Sequence, residues 1–225
     1  MDLLIPAAGL ATRMRGLPKF LLPIDKKYTT LLENHLLQST QEIENLDNIF
    51  IATRPDLVKI IKSLNLNFPK LSIIEMETST MNETILNLIG HTDSQYFQLI
   101  MPDTYFSGEQ PYGKLSSKPN FCDLALWEIR SEQRDKLGEV DIDLEGVAKV
   151  IIDKNPDSLL KYSWGSLTFS LQLKKYIDVK EPHIGYALSN ALENDEIITT
   201  KIINGKYYDC GTPEEYLGLL KEELL

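Results

Sequence analysis

The sequence predicts a single globular domain with an α/β fold, and three observations support this prediction. Short apolar runs alternate with amphipathic helical patterns along the 225 residues, as expected for a sheet covered by helices. The composition, 43% hydrophobic and 25% charged, is ordinary for a globular domain. A chain of this length buries most of the surface that its unfolded form exposes, so it needs neither disulfides nor a structural metal. We therefore predict a single domain over residues 1–225.

The first half of the chain is predicted to alternate strands and helices. Strands are indicated by short apolar runs of strand length, and helices by leucines and isoleucines spaced to share one face. The predicted strands are 3–5, 48–53, 71–75 and 96–101, and the predicted helices are 30–44, 54–64 and 82–90.

The second half follows the same pattern less regularly. Segment 107–120, which is rich in serine and lysine and is interrupted by glycine and proline, is predicted to form a loop or a lid. The predicted strands here are 121–128, 146–153, 167–170 and 199–203, and the predicted helices are 184–193 and 213 to the last residue.

The charge distribution argues against a nucleic-acid binder and for a local anion site. The formal net charge is −10, whereas nucleic-acid-binding proteins usually carry a basic face. The first 27 residues are the exception, because they hold five Lys or Arg residues and only two Asp residues. A basic segment on an acidic protein indicates a place where an anion binds.

Neither a membrane nor an oxidising compartment is indicated. No run approaches the roughly 18 apolar residues of a membrane span. The apolar stretch 3–11 resembles a short signal-peptide core, but Asp2 precedes it and the cations follow it, which is the reverse of a secretion signal. Two distant cysteines, Cys122 and Cys210, and three histidines form no disulfide framework or zinc motif. We therefore expect a cytoplasmic protein.

The first candidate site follows the first strand. The strand runs into a turn of small residues and then two cations, in the order Ala7, Ala8, Gly9, Leu10, Ala11, Thr12, Arg13 and Lys19. Small side chains let a ligand approach backbone N–H groups, which can cradle phosphate oxygens. Arg13 and Lys19 would then reach the same anion. Taken alone, the pattern also describes a tight strand-to-loop turn with two solvated cations, which is a common arrangement.

This segment resembles the signature of the nucleotidyltransferase family that includes the sugar-1-phosphate pyrophosphorylases. The family pattern is a strand, Ala-Ala-Gly-x-Gly-Thr-Arg-Met, and then Pro-Lys-x-Leu-Leu-Pro-Ile. The chain reproduces it, except that Ala11 stands at the second glycine. The resemblance implies a Rossmann-like three-layer α/β/α architecture with a mixed, mainly parallel central sheet. It also implies that residues 7–13 and Lys19 bind a nucleotide.

Segment 80–84, after the third strand, stands where relatives contact the base and the ribose. The resemblance implies nucleotide contacts for Asn82, Glu83 and Thr84, although the family's glycine is absent. Thr80 with Glu83 three residues later is also the spacing of a helix capping box, and both interpretations can hold together.

Two aspartates match the family's magnesium ligands. Asp103 follows the fourth strand, after Pro102 in place of the family's glycine. Asp209 lies in the motif Tyr-Asp-Cys-Gly-Thr-Pro-Glu, which closely matches the family near its last helix. By the resemblance, these carboxylates converge on Mg²⁺ bridging the substrate phosphates. Cys210 is more simply a buried filler than a nucleophile, because no general base is nearby in sequence.

The acceptor-binding part is predicted between residues 107 and 200. Segment 150–156 resembles the family strand that ends in Glu-Lys-Pro, with Asp153 in place of the glutamate, and implies that Lys154 contacts the acceptor phosphate. Farther along, Gly165 matches the glycine that lets a sugar lie close. The resemblance thus assigns Asp153, Lys154 and Gly165 to substrate binding.

The implied function is that of a Mg²⁺-dependent nucleotidyltransferase. It would couple an NTP to a phosphorylated small molecule, a sugar 1-phosphate first of all, and release pyrophosphate. Arg13, Lys19 and Lys154 would be the catalytic residues, since positioning and charge neutralisation dominate such reactions. By the resemblance, the pathway would be capsule or cell-surface polysaccharide synthesis; the base, the acceptor and the oligomeric state stay open, and many relatives are homodimers.

Three alternatives stay open as well. One is a cytidylyltransferase that acts on a non-sugar phosphate ester. Another is a non-catalytic module that binds a nucleotide or a sugar nucleotide. The third is a glycosyltransferase, which is less favoured because the usual Asp-x-Asp is replaced by Asp103-Thr104-Tyr105.

Overall fold

A computed structural model of the chain describes residues 1–10, 14–64, 66–134, 136–153, 155 and 157–223. Within these ranges the chain forms eleven strands and five α-helices. The strands are β1 Asp2–Ala7, β2 Ile49–Thr53, β3 Leu71–Glu75, β4 Tyr96–Ile100, β5 Thr104–Gly108, β6 Cys122–Glu128, β7 Gly138–Ile142, β8 Ala148–Asp153, β9 Tyr162–Ser170, β10 Ile198–Ile202 and β11 Gly205–Asp209. The helices are α1 Leu31–Glu42, α2 Pro55–Ser63, α3 Met81–Ile89, α4 Ile184–Glu193 and α5 Pro213–Glu223.

The main sheet has nine strands, and its central path runs in the order β10-β6-β9-β4-β1-β2-β3. The pairs β4 with β1, β1 with β2, β2 with β3 and β10 with β6 are parallel. Only β9 is antiparallel to its neighbours on this path, β4 and β6. Strand β7 joins the sheet at β9 and pairs with β8 on its other edge. The sheet is therefore mixed and, along the central path, mainly parallel.

The sheet lies between two layers of helices. Successive residues of a strand point to opposite faces of a sheet, so neighbouring residues of β1 pack against different layers. Leu3 and Ile5 of β1 pack in one core with Leu36 of α1 and residues of α2. Leu4, between them, packs in the other core with Leu88 of α3 and residues of α4. The three-layer α/β/α architecture predicted from the sequence is confirmed.

A second sheet is formed by β5 and β11, which are far apart in sequence and pair antiparallel. Their register places Asp209 opposite Thr104. Phe106 of β5 stacks on Trp127 of β6 with ring centroids 5.0 Å apart, which anchors the pair to the main core. Helix α5 packs against the pair through Leu219.

The predicted elements are found within two residues of their expected ends, with few exceptions. Strand β9 begins at Tyr162 and not at residue 167, and strands β5, β7 and β11 were not predicted. Strand β7 has no continuous apolar run, because Glu139 and Asp141 interrupt it. The Glu139 carboxylate is fully buried and lies 3.4 Å from Nη1 of Arg134. An ion pair with a residue outside the strand therefore allows a charged residue into a buried strand.

The segment predicted as a loop or lid is a loop packed onto the core. Tyr112 is buried, and its hydroxyl shares a 2.6 Å hydrogen bond with Nδ1 of His35 in α1. Leu115 is buried as well. Ser107 and Gly108, the first residues of the predicted segment, belong to β5.

Both thiols in the chain are free and buried. Burial raises the pKa of Cys122 and of Cys210 above that of an ordinary thiol, which makes both poor nucleophiles. Among the helices in the described ranges, none has the length and apolar character needed to cross a membrane.

Candidate functional site

A cavity of about 700 Å³ opens at the carboxyl ends of β1 and β4. This is the edge of a parallel sheet at which α/β proteins usually bind their ligands. The cavity is lined by residues 6–10, 18–20, 78–81, 84, 101–103, 182 and 183. Those that the sequence analysis assigned to a site are Ala7, Ala8, Gly9, Leu10, Lys19, Thr84 and Asp103.

The turn after β1 presents its backbone to the cavity. Ala7 and Ala8 are buried, and a Cβ added to Gly9 would meet no atom within 4 Å, so a ligand can approach the chain there. Nη1 of Arg54, the residue before α2, donates to the Gly9 carbonyl at 3.4 Å. Arg54 is thus a cation at this turn that lies outside the sequence motifs. Ala11, Thr12 and Arg13 lie outside the described residues, and the roles assigned to them stay predictions.

Lys19 and Asp103 form an ion pair in the wall of the cavity. Nζ of Lys19 contacts Oδ2 of Asp103, and the two side chains are 17% and 19% exposed. Lys19 opens the short 3₁₀ turn Lys19–Leu21, which is closed by the N–H of Leu22 donating to the Lys19 carbonyl. A charge-assisted contact in a partly buried site is strong, and both groups are still accessible to a ligand.

A tight turn fixes the direction of Asp103. The N–H and the hydroxyl of Thr104 both donate to the Met101 carbonyl, at 3.3 and 2.8 Å. The N–H of Cys210 donates to the Asp103 carbonyl at 2.8 Å. Because Thr104 is almost fully buried, the turn is held from inside the protein.

Asp209 is brought next to Asp103 by the pairing of β5 and β11. In the register of that pair, Asp209 lies opposite Thr104, the residue that follows Asp103. Burial is the main reason that the pKa of the Cys210 thiol is raised, and the charges of Asp103 and Asp209 raise it further. The two predicted metal ligands therefore lie at the same end of the two-stranded sheet.

The donor set at this end of the sheet is compatible with Mg²⁺. Two carboxylates supply hard oxygen ligands, and Mg²⁺ usually completes its shell with water and substrate phosphates. No group of three or more His, Cys, Asp or Glu side chains within the described ranges is arranged to hold a metal alone.

Hydroxyl groups at the start of α3 form another wall. Thr78, Ser79, Thr80 and Thr84 line the cavity, and the Thr78 and Thr84 hydroxyls are 2.5 Å apart. Thr80 caps the helix by accepting from the N–H of Glu83 at 3.1 Å. The Glu83 carboxylate accepts from the N–H of Ser79 at 2.7 Å, one residue before the partner expected in a capping box.

Of the three nucleotide contacts predicted in 82–84, only Thr84 lies in the wall. Asn82 is fully buried, and its Nδ2 donates to the Asp178 carbonyl at 2.9 Å. The Glu83 carboxylate accepts a hydrogen bond from the Ser79 N–H at the start of the helix. Among the described residues, neither Asn82 nor Glu83 lines the cavity.

The described residues predicted to bind the acceptor also lie outside the lining of this cavity. Asp153 ends β8 beside α4, where a Cβ added to Gly185 would lie 3.7 Å from its carboxyl carbon. A Cβ added to Gly165 would lie 2.3 Å from the ring of Tyr207, so the neighbour that requires this glycine is an aromatic ring. Lys154 lies outside the described residues.

Pro182 and His183 are wall residues that belong to none of the sequence motifs. They directly precede α4, and His183 occupies its N-cap position. The start of a helix presents N–H groups without partners inside the helix. The predicted start of helix 184–193 is therefore the one signal in the sequence that points to these residues.

No family model and no curated protein sequence matches the chain. Solved structures, in contrast, match it over nearly its whole length. A UDP-glucose pyrophosphorylase in complex with UDP-glucose has a TM-score of 0.77 at 21% identity, covering 98% of this chain and 97% of its own. The UTP-bound UGPase of Acinetobacter baumannii has a TM-score of 0.74 at 14% identity, covering 98% and 92%. A protein assigned as a glucose-1-phosphate thymidylyltransferase from Bacillus anthracis has a TM-score of 0.76 at 16% identity, covering 99% and 95%.

The chain has the fold of these nucleotidyltransferases. Because the match covers both ends of the chain, the nucleotidyltransferase fold includes the turn after β1 as well as β11 and α5. The resemblance found in the sequence motifs is thus confirmed at the level of the fold. The sequence identities are too low for overall sequence similarity to show this relationship.

Proposed function

We propose that the chain is a nucleotidyltransferase that joins an NTP to a phosphorylated small molecule, in the first instance a sugar 1-phosphate, and releases pyrophosphate. The observation that carries the proposal is the pairing of Lys19 with Asp103 in the cavity wall, with Asp209 alongside. The structural neighbours support it, since their names specify UDP-glucose, UTP or glucose 1-phosphate.

The reaction requires two anions to meet in line. An oxygen of the acceptor phosphate forms a bond to the α-phosphorus of the NTP, while the bond from that phosphorus to the α–β bridging oxygen breaks. Pyrophosphate leaves with the bridging oxygen and its electron pair. No proton has to be removed, because a phosphate oxygen is already ionised near neutral pH. Catalysis therefore depends on positioning and on neutralising charge.

Lys19 is the residue that we assign to the α-phosphate. Its ammonium group lines the cavity and is paired with Asp103, so a phosphoryl oxygen bound in the cavity would compete with that carboxylate for it. With 17% of the side chain exposed, its charge is screened less than that of a surface lysine. The backbone of residues 7–10 would hold the other phosphates, together with Arg13 by the family resemblance.

Asp103 and Asp209 are the residues that we assign to Mg²⁺. Bound there, Mg²⁺ would neutralise charge on the phosphates. The turn at Thr104 and the bond from the Cys210 N–H keep the two carboxylates at the same end of the sheet. Asp103 would thus serve two functions, since it also orients Lys19.

We place the acceptor on the side of the cavity formed by segment 107–200. Pro182 and His183 come from that part of the chain and line the cavity. Asp153 lies beside the first turn of α4, which follows His183. Lys154 and Gly165 are assigned to the acceptor phosphate and the sugar by the family resemblance.

The test is a pyrophosphate-release assay that crosses the common ribonucleoside triphosphates and dTTP with sugar 1-phosphates, phosphocholine and other phosphate esters, with and without Mg²⁺. We expect Mg²⁺-dependent pyrophosphate, and UTP or dTTP with glucose 1-phosphate are the first pairs to test. Product from CTP and phosphocholine would favour the non-sugar alternative. Nucleotide binding without any product would favour a non-catalytic module, and absence of binding would contradict the proposal.

A further inference from the structure

The segment 178–183, which leads into α4, is hydrogen-bonded to the start of α3, and we call this set of hydrogen bonds the link. The Thr80 hydroxyl donates to the Val179 carbonyl at 2.8 Å. Nδ2 of Asn82 donates to the Asp178 carbonyl at 2.9 Å. Both acceptors are backbone carbonyls of the segment 178–183, so these two hydrogen bonds hold the backbone of the segment and not merely one of its side chains.

The N–H of Met81 adds a third bond, to the Pro182 carbonyl at 3.2 Å. Met81 is the first residue of α3, and the N–H groups of the first helical turn have no partner within their own helix. The Pro182 carbonyl supplies that partner. The start of α3 is therefore completed by the segment 178–183.

Asn82 is the interior member of this link. Its side chain is fully buried, whereas Thr80 is partly exposed. A hydrogen bond shielded from water is harder to replace than one at the surface. Oδ1 of Asn82 has no hydrogen-bond partner in the part of the chain that the structure describes, so the amide is held through Nδ2.

The link joins two walls of the cavity. Thr80 and Met81 line it from the start of α3, and Pro182 and His183 line it from the segment 178–183. If the segment moved away from α3, the space between these walls would widen. The width of the cavity therefore depends on the bonds that hold the segment.

We propose that Asn82 is a positioning residue that holds the segment 178–183, and with it His183, at the distance from α3 that the acceptor requires. The proposal rests on the proposed function in one respect, the assignment of the segment to the acceptor side. Asn82 touches neither substrate and acts through the segment. This role differs from the nucleotide contact that the sequence motif implies for Asn82.

The first test measures amide hydrogen exchange of Met81 in the full chain and needs no catalysis. In the wild type we expect slow exchange, because the Pro182 carbonyl pairs with this N–H. In Asn82→Ala we expect exchange to be about tenfold faster, the scale of losing one hydrogen bond. The matched control is Asn87→Ala, whose amide donates at the same 2.9 Å distance, but to Glu83 within α3. It should leave Met81 exchange within about twofold of the wild type.

Two results of this test would overturn the proposal. One is fast exchange of Met81 in the wild type, which would mean that the link is not formed in solution. The other is equal exchange in Asn82→Ala and the Asn87→Ala control. If Asn82→Ala does not fold, Asn82→Asp keeps the side-chain volume and lacks the donor, and the wild-type measurement applies in either case.

The second test separates the acceptor from the nucleotide. For Asn82→Ala we expect the KM for the acceptor to rise about tenfold, with kcat within about threefold and the nucleotide Kd within about twofold. Weaker nucleotide binding with an unchanged acceptor KM would place Asn82 on the nucleotide and overturn the proposal. A wild type that shows slow Met81 exchange but forms no product would contradict the proposed function and still support the link.

Discussion

Lys19 and Asp103, 84 residues apart in sequence, are paired in the wall of the cavity. The pair joins the turn after β1, where phosphates are expected, to the predicted metal site after β4. A bound polyanion would compete with Asp103 for the lysine ammonium. Loss of either residue should therefore affect both phosphate binding and the orientation of the partner that is left.

Lys19→Ala should keep the fold and lower turnover by about a hundredfold or more, the scale of losing one preorganised electrostatic contact. Pyrophosphate release at saturating substrate measures the effect. Lys114→Ala is the matched control, because Lys114 pairs with Glu109 at 2.8 Å and does not line the cavity. Turnover like that of the wild type in Lys19→Ala would remove this lysine from the mechanism.

Asp209→Asn should raise the Mg²⁺ concentration that gives half-maximal rate by about tenfold or more, because one of two charged ligands is lost. The measurement is a Mg²⁺ titration at fixed substrate. Asp143→Asn is a suitable control, since Asp143 pairs with Lys149 at 2.7 Å, away from the cavity lining. An unchanged titration in Asp209→Asn would exclude Asp209 as a ligand.

Gly165→Ala should destabilise the protein by about 1–3 kcal/mol, the usual cost of overpacking a core. The added Cβ would lie 2.3 Å from the ring of Tyr207, in a buried cluster that cannot expand freely. Urea unfolding gives the free energy directly. Gly218→Ala in α5 is the control, since its Cβ meets no atom within 4 Å and alanine favours a helix. Equal stability of the two variants would contradict the packing role of Gly165.

His35 should make the stability of the fold depend on pH. Burial lowers the pKa of His35 in the folded protein to about 4, from 6.5, so the unfolded chain takes up its proton first as the pH falls. The stability that neutral His35 contributes is fully present above about pH 6.5 and is lost progressively towards pH 4. The free energy of unfolding should fall by about 3 kcal/mol over this range because of His35 alone.

The check is the free energy of unfolding in urea, measured between pH 7 and pH 4. His35→Gln should lack this part of the pH dependence, whereas His91→Gln, at an exposed position, should retain it. Identical pH dependence in the wild type and His35→Gln would show that His35 does not titrate differently on folding.

Much of the fold was predictable because it follows from short-range patterns. The helix 184–193 is found at its predicted bounds, and α1 begins at a Thr30–Glu33 capping box. Strand β7 was not predictable in this way, because Glu139 is acceptable in a buried strand only with Arg134 and Ser158 beside it. That environment is assembled from separate segments and leaves no local pattern.

The residues of the candidate site likewise separate into those that local sequence motifs predict and those that they do not. The turn after β1, Lys19 and Asp103 lie in the cavity, as their local motifs indicate. Arg54 is brought to Gly9 by the pairing of β1 with β2, and His183 lines the cavity beside the start of α3, to which its segment is hydrogen-bonded. Contacts of this kind depend on the tertiary arrangement, which no single segment encodes.

The pairing of β5 with β11 also determines when the site becomes complete during protein synthesis. The main sheet needs the chain only as far as Ile202, the end of β10. Asp209 reaches Asp103 only after β11 has emerged from the ribosome and paired with β5, which was made much earlier. On the proposed function, the turn after β1 would therefore be synthesised well before the second carboxylate assigned to Mg²⁺ is in place. A fragment that ends before β11 would lack Asp209, and with it one of the two carboxylates that the proposed function assigns to Mg²⁺.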